Sequence, residues 1–103
     1  MRERDGIIKH AAVLERLRRF KHARGADFRV NRLGVFGFVA RDEADAESDV
    51  DIVFETDAPN LFRTAHLRQE LEEWLGCPVH IVRLRSAMNA ALRERILREA
   101  RYV

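Results

Sequence analysis

The chain has 103 residues, a net charge of +2 and one cysteine, and 47% of its residues are hydrophobic and 35% charged. This length supports one domain over residues 1–103, and this composition excludes a disordered chain, a disulfide framework and a thiolate metal cluster. No apolar run approaches the roughly 20 residues of a membrane helix, and the start lacks the apolar core of a signal peptide, so we expect a cytoplasmic protein.

The first predicted element is an amphipathic helix over residues 6 to about 23, which Gly25 is placed to end. Residues 32–39 are short, apolar and rich in β-formers, which predicts a buried strand. Gly34 and Gly37 in this strand mark close approach of the backbone to another group. The apolar residues of the helix recur near helical spacing: Ile7, Val13, Leu14, Leu17 and Phe20.

Residues 40–48 predict a loop, and residues 49–55 then alternate strictly between two faces. This alternation predicts a strand with a core face and a carboxylate face. The core face carries Val50, Ile52 and Phe54, and the opposite face carries Asp49, Asp51, Val53 and Glu55.

A second helix is predicted from the turn at residues 57–60 to Gly76, with Trp74 in its buried stripe. A third strand follows over residues 79–84, and Ser86 is placed to open a final helix that carries Met88. The order α-β-β-α-β-α predicts an α/β (α+β) fold in which helices cover a small mixed β-sheet.

The acidic residues concentrate between positions 41 and 57, where eight acids and one base contrast with nine acids and eighteen Lys and Arg elsewhere. Because residues i and i+2 of a strand share a face, Asp49 and Asp51 present two carboxylates side by side. Such a pair suits Mg²⁺ or Mn²⁺, and Gly37 allows the backbone to approach phosphate oxygens. These parts suggest phosphoryl or nucleotidyl transfer, whereas a solvated acidic strand is the simpler alternative for Asp-x-Asp alone.

The combination is more specific, because Gly37-Phe38, ten intervening residues and Asp49-Val50-Asp51 resemble the Gly-Ser, spacer, Asp-x-Asp signature of DNA polymerase beta-like nucleotidyltransferases. Within that superfamily, LGVFGFVARDEADAESDVDIVFE resembles the minimal nucleotidyltransferases (MNT proteins), whose usual text is close to LFGSxARGxAxxxSDxDLxV. The resemblance implies a three-layer nucleotidyltransferase fold, use of ATP with Mg²⁺, and a HEPN-class partner. In such pairs the partner is an RNase toxin, and the MNT antitoxin transfers AMP to one of its tyrosines.

Matched position by position, the resemblance implies metal binding and catalysis by Asp49 and Asp51. Phe38 stands where the family has serine, and His80 stands where the family has a third carboxylate that orients the metal or acts as a base. A neutral His80 can accept a proton, although its nitrogen is a poorer ligand for Mg²⁺ than oxygen. The residues matched to nucleotide binding are Gly37, Phe38, Arg41 and Ser48.

Two functional hypotheses follow. The first is an Mg²⁺-dependent nucleotidyltransferase that transfers AMP from ATP to a protein. The second is a degenerate MNT protein that neutralises a HEPN partner by forming a complex, which the departures at Phe38 and His80 favour. A chain this short with an amphipathic helix near each end is also expected to form a homo- or hetero-oligomer.

The arginines near the end of the sequence are interpreted as a solvated helix face and not as a nucleic-acid-binding surface, because Glu94 and Arg98 stand at i,i+4 spacing. The arginines concerned are Arg83, Arg85, Arg93, Arg95, Arg98 and Arg101.

Overall fold

The computed structural model describes residues 10–37 and 49–103. The predicted order α-β-β-α-β-α is present, and a short strand that the sequence analysis did not predict follows it. No helix in these two ranges combines the length and apolarity needed to cross a bilayer. The elements are α1 (His10–Arg24), β1 (Arg32–Phe36), β2 (Val50–Glu55), α2 (Leu61–Leu75), β3 (Val79–Arg83), α3 (Ala90–Glu99) and β4 (Arg101–Tyr102).

The four strands form one mixed sheet in the order β3-β2-β1-β4, which confirms the predicted sheet type. Strand β1 is antiparallel to both β2 and β4, whereas β2 is parallel to β3. The unpredicted β4 is anchored by its aromatic residue, since the Arg32 guanidinium lies 3.9 Å from the ring centroid of Tyr102. Gly34 allows β4 to approach, because an added Cβ would lie 2.5 Å from the carbonyl oxygen of Arg101.

Helices α1 and α2 cover one face of the sheet and enclose the larger core. The apolar residues predicted for the strand at 49–55 point into this core as expected. Each large side chain buried here stabilises the fold by about 1.5–3 kcal/mol through loss of water contact. The core joins Val13, Leu17 and Phe20 of α1 and Leu67, Leu71 and Leu75 of α2 to Leu33, Val35, Val50, Ile52 and Phe54 of the sheet.

Helix α3 covers the opposite face, where Phe36, Val53 and Ile96 form a second cluster. The prediction of a carboxylate face on β2 is therefore incomplete, because Val53 on that face is fully buried beneath α3. Val53 is apolar although the other residues of this face are acidic, because α3 covers it. The result is three layers, with the sheet between α1 and α2 on one side and α3 on the other.

The predicted start of the last helix at Ser86 is wrong, because α3 begins at Ala90. Its N-cap is Asn89, whose side chain accepts a hydrogen bond of 2.9 Å from the backbone N–H of Leu92. Met88 precedes the helix and packs against the second cluster. Both Ser and Asn suit an N-cap, so residue type alone did not distinguish the two positions.

Helix α2 ends at Gly76 as predicted, but Trp74 is not part of the core. Its side chain remains 36% exposed and contacts Phe20 edge to face, with ring centroids 5.5 Å apart. Leu67, Leu71 and Leu75 recur every four residues and fill the buried stripe, which leaves Trp74 at its border.

Replacing Asn89 by Ala is expected to lower the free energy of unfolding by about 0.5–2 kcal/mol, because the first turn of α3 loses its capping acceptor. Ser86→Ala serves as the matched control and should change stability little, since Ser86 lies before the helix. Urea titration followed by far-UV circular dichroism measures both values. Equal losses for the two variants would contradict the observed cap.

Candidate functional site

Asp51 lies in the middle of the sheet, between a neighbour on each side. The strand register places it opposite Phe36 of β1 and opposite His80 of β3. Oδ1 of Asp51 lies 3.2 Å from Nδ1 of His80. The Asp51 side chain is 18% exposed and that of His80 is 63% exposed. The fold thus joins two predicted site residues into a carboxylate–imidazole pair that is open to solvent on the imidazole side.

Gly37 follows β1 with a φ of +74°, a conformation that side chains other than glycine rarely adopt. A Cβ added at this position would collide with Oδ2 of Asp51. A group does approach Gly37 closely, and it is the carboxylate of Asp51, whereas the predicted approach of phosphate oxygens stays a prediction. Its two oxygens consequently face different neighbours, one the imidazole of His80 and the other the backbone of Gly37.

Asp49 precedes β2 and is exposed, so it differs from Asp51 in its surroundings. The adjacent Val50 N–H donates a 3.1 Å hydrogen bond to the carbonyl of Pro78, which fixes the chain as it enters β2. Burial raises the pKa of the nearby Cys77 thiol, an effect opposed by Arg16 and reinforced by the charge of Asp49. Cys77 is thus a partly buried residue that packs against the larger core.

Three residues assigned to nucleotide binding by resemblance, Phe38, Arg41 and Ser48, lie outside the residues that the structure describes. Their assignment stays a prediction. Gly37 is the member of that set whose position is described.

Arg95 of α3 is a neighbour of the site that the sequence analysis missed. One of its terminal nitrogens would lie 3.3 Å from a Cβ added to Gly37, on the same glycine that Asp51 contacts. The solvated-face interpretation is therefore incomplete for this arginine, whose side chain is 43% exposed but also lies beside Gly37. No local pattern in the sequence marks this position, because it depends on how α3 packs over the sheet through the fully buried Ile96.

The described residues supply carboxylate oxygens that could bind a metal ion, but not a complete set of protein ligands around one. Within residues 10–37 and 49–103, no group of three His, Cys, Asp or Glu side chains is arranged to hold a metal ion. Proteins commonly hold Mg²⁺ with one or two carboxylates together with phosphate oxygens of the substrate. The carboxylates of Asp49 and Asp51 fit that mode of binding. The imidazole of His80 adds no further oxygen ligand for Mg²⁺.

Comparison with known proteins places this geometry in a family. The nucleotidyltransferase domain family matches residues 15–103. The protein adenylyltransferase MntA of Thermococcus cleftensis is 38% identical over 77 residues, which cover 74% of this chain and 77% of the relative. The solved structure of a candidate minimal nucleotidyltransferase matches with a TM-score of 0.76 and 35% identity, over 91% of this chain and 95% of that one.

A likeness of fold alone extends to a complex of the tri-AMPylated Shewanella oneidensis HEPN toxin with an MNT antitoxin. It matches with a TM-score of 0.58 at 20% identity, over 90% of this chain and 66% of that one. Taken with the family match and the identity to MntA, the described geometry identifies the chain: it belongs to the nucleotidyltransferase domain family and is homologous to MntA-type protein adenylyltransferases.

Proposed function

We propose that this chain is a cytoplasmic protein adenylyltransferase that transfers AMP from ATP to a HEPN-class protein and thereby acts as its antitoxin. The observation that carries the proposal is the carboxylate of Asp51, held between His80 and the left-handed backbone of Gly37. It occurs in a chain 38% identical to a protein adenylyltransferase. The AMPylated HEPN toxin seen with an MNT antitoxin supports the choice of acceptor.

Asp49 and Asp51 would hold Mg²⁺ or Mn²⁺ together with the nucleotide. A bound divalent ion supplies neutralisation of the negative charge on the phosphates during transfer. Contacts with His80 and Gly37 fix the position of the Asp51 carboxylate before substrate arrives. This preorganisation is what a transfer reaction needs, because positioning and electrostatics supply most of its rate enhancement.

In the proposed reaction, the hydroxyl oxygen of an acceptor tyrosine forms a bond to the α-phosphorus of ATP. The bond between this phosphorus and the oxygen bridging to the β-phosphate breaks, and pyrophosphate leaves with that oxygen. The hydroxyl proton needs an acceptor, for which His80 is suited. When Nδ1 of His80 carries the ring proton and its N–H donates a hydrogen bond to Asp51, Nε2 is left as a proton acceptor on an exposed ring.

The second candidate is an MNT protein that binds and neutralises its HEPN partner without turnover. It is favoured by His80, whose imidazole occupies the position at which the family has a third carboxylate. Leu61 and Phe62, largely exposed at the start of α2, provide apolar surface that a partner or a second copy could cover. Binding would suffice for this function, whereas the first candidate also requires chemistry.

Transfer to a HEPN-class protein that forms a stable complex with this chain distinguishes the candidates. We expect label from ATP marked at the α-phosphate to appear on a tyrosine of that protein, with release of pyrophosphate. ATP marked at the γ-phosphate is the control and should leave the protein unlabelled, because the γ-phosphate departs with pyrophosphate. Inhibition of the partner's RNase activity in a stable complex without α-label would reject the first candidate in favour of the second.

A further inference from the structure

Arg95 brings a positive charge to the site from a third element of the fold. Its terminal nitrogen and Oδ2 of Asp51 both lie against the position that a Cβ on Gly37 would occupy. The sheet supplies the carboxylate, the turn after β1 supplies the glycine that this carboxylate contacts, and α3 supplies the guanidinium. A group bound beside Gly37 would therefore meet both a carboxylate and a cation.

The guanidinium is oriented by its surroundings while part of it stays accessible. Its central carbon lies 5.6 Å from the ring centroid of Phe36, and the side chain is 43% exposed. The adjacent Ile96 is fully buried and fixes the rotation of α3 against the sheet. Such preorganisation lowers the entropy lost when the arginine binds a ligand.

The contacts within the described residues leave one nitrogen of Arg95 without a hydrogen bond. Its Nε is shielded from solvent yet has no hydrogen-bond partner in residues 10–37 and 49–103. Oε1 of Glu99 lies 3.5 Å from this nitrogen, an i,i+4 ion pair too long for a good hydrogen bond. Pairs of this kind between partly exposed side chains contribute little stability. The ion pair with Glu99 therefore does not explain why Arg95 lies beside Gly37.

A polyphosphate provides that explanation. The proposed substrate brings several negative charges to a site that already holds carboxylates, so a nearby cation favours its binding. Guanidinium is suited to this task because its planar set of N–H donors matches the spacing of phosphate oxygens. We infer that Arg95 binds the triphosphate chain of the nucleotide, an inference that rests on the proposed nucleotidyltransferase function.

Binding measured without any acceptor protein tests the inference. Arg95→Gln removes the charge, and Arg98→Gln is the matched control because Arg98 is an exposed arginine of the same helix. With Mg²⁺ present, we expect Arg95→Gln to weaken ATP binding about tenfold to a hundredfold in titration calorimetry. We expect Arg98→Gln to bind ATP as wild type does. Inorganic tripolyphosphate should raise the melting temperature of wild type and of Arg98→Gln, but not that of Arg95→Gln.

Equal ATP affinity in wild type and Arg95→Gln would overturn the inference, as would failure of wild type to bind ATP. Arg95→Lys provides a second test if the glutamine variant does not fold, since lysine keeps the charge and loses the planar fork. An affinity of Arg95→Lys between those of wild type and Arg95→Gln supports contact with the phosphates. An affinity of Arg95→Lys for ATP and for tripolyphosphate equal to that of wild type overturns the inference. Wild-type ATP binding that depends on Arg95, without AMP transfer, would leave the inference standing and reject only the proposed acceptor chemistry.

Discussion

Replacing Asp51 by Asn is expected to lower the initial rate of AMP transfer by about 10²–10⁴-fold while the fold persists. Asparagine keeps the shape of the side chain and an oxygen that can accept a hydrogen bond from His80. It loses the negative charge of the carboxylate. This charge would attract both a divalent ion and the imidazole of His80 after it has accepted a proton. The rate of α-phosphate label incorporation into the acceptor measures the effect.

A second measurement separates loss of the site from loss of the reaction. Mg²⁺ with ATP should raise the melting temperature of wild type, because a ligand that binds the folded state stabilises it, and should leave Asp51→Asn unchanged. Asp57→Asn is the control, since it removes the same charge from an exposed residue beyond β2. Transfer by Asp51→Asn at a rate close to that of Asp57→Asn would remove Asp51 from the proposed mechanism.

Gly37→Ala is expected to reduce AMP transfer about a hundredfold, far more than its effect on stability suggests, because a small displacement of a catalytic group can cost this much. The new Cβ would occupy the space of Oδ2 of Asp51 and force the carboxylate to move. The left-handed backbone adds a stability loss of about 1–2 kcal/mol for a residue with a Cβ. Transfer rates and urea titration together measure the two effects.

Gly76→Ala is a closely matched control for Gly37→Ala. Gly76 has the same φ of +74°, but a Cβ added there meets no atom within 4 Å. Both variants should therefore lose the stability that a left-handed backbone costs a residue with a Cβ, Gly37→Ala should lose more because of its collision with Asp51, and only Gly37→Ala should lose transfer. If both glycine variants retained full activity, the contact between Gly37 and Asp51 would have no role in the reaction.

The parts of the fold that local rules determine could be predicted from the sequence. The alternation through β2 located its core residues, and the stripe of leucines that ends at Gly76 located α2. Asp51 and Gly37 were found by the same means, because strand periodicity and glycine's freedom are properties of short segments. The resemblance to the MNT proteins added His80 through its place in the family's pattern.

The remaining features depend on contacts between segments far apart in the chain. Strand β4 has two residues, too few for any periodicity, and it exists because β1 offers an open edge beside Gly34. The burial of Val53 depends on α3, and the position of Arg95 depends on how that helix rotates over Phe36. Neither rotation nor register is encoded in a local pattern, which is why the solvated-face interpretation did not include the contact of Arg95 with the site.

The parallel pairing of β2 with β3 also bears on how the site assembles during folding. Parallel strands cannot be joined by a tight turn, and here the chain passes through the whole of α2 between them. The contact of Asp51 with His80 therefore joins residues 29 positions apart and requires a long loop to close, which slows pairing. A folding chain that has paired β1 with β2, but not yet docked β3, has the Asp51 carboxylate against Gly37 without its imidazole partner.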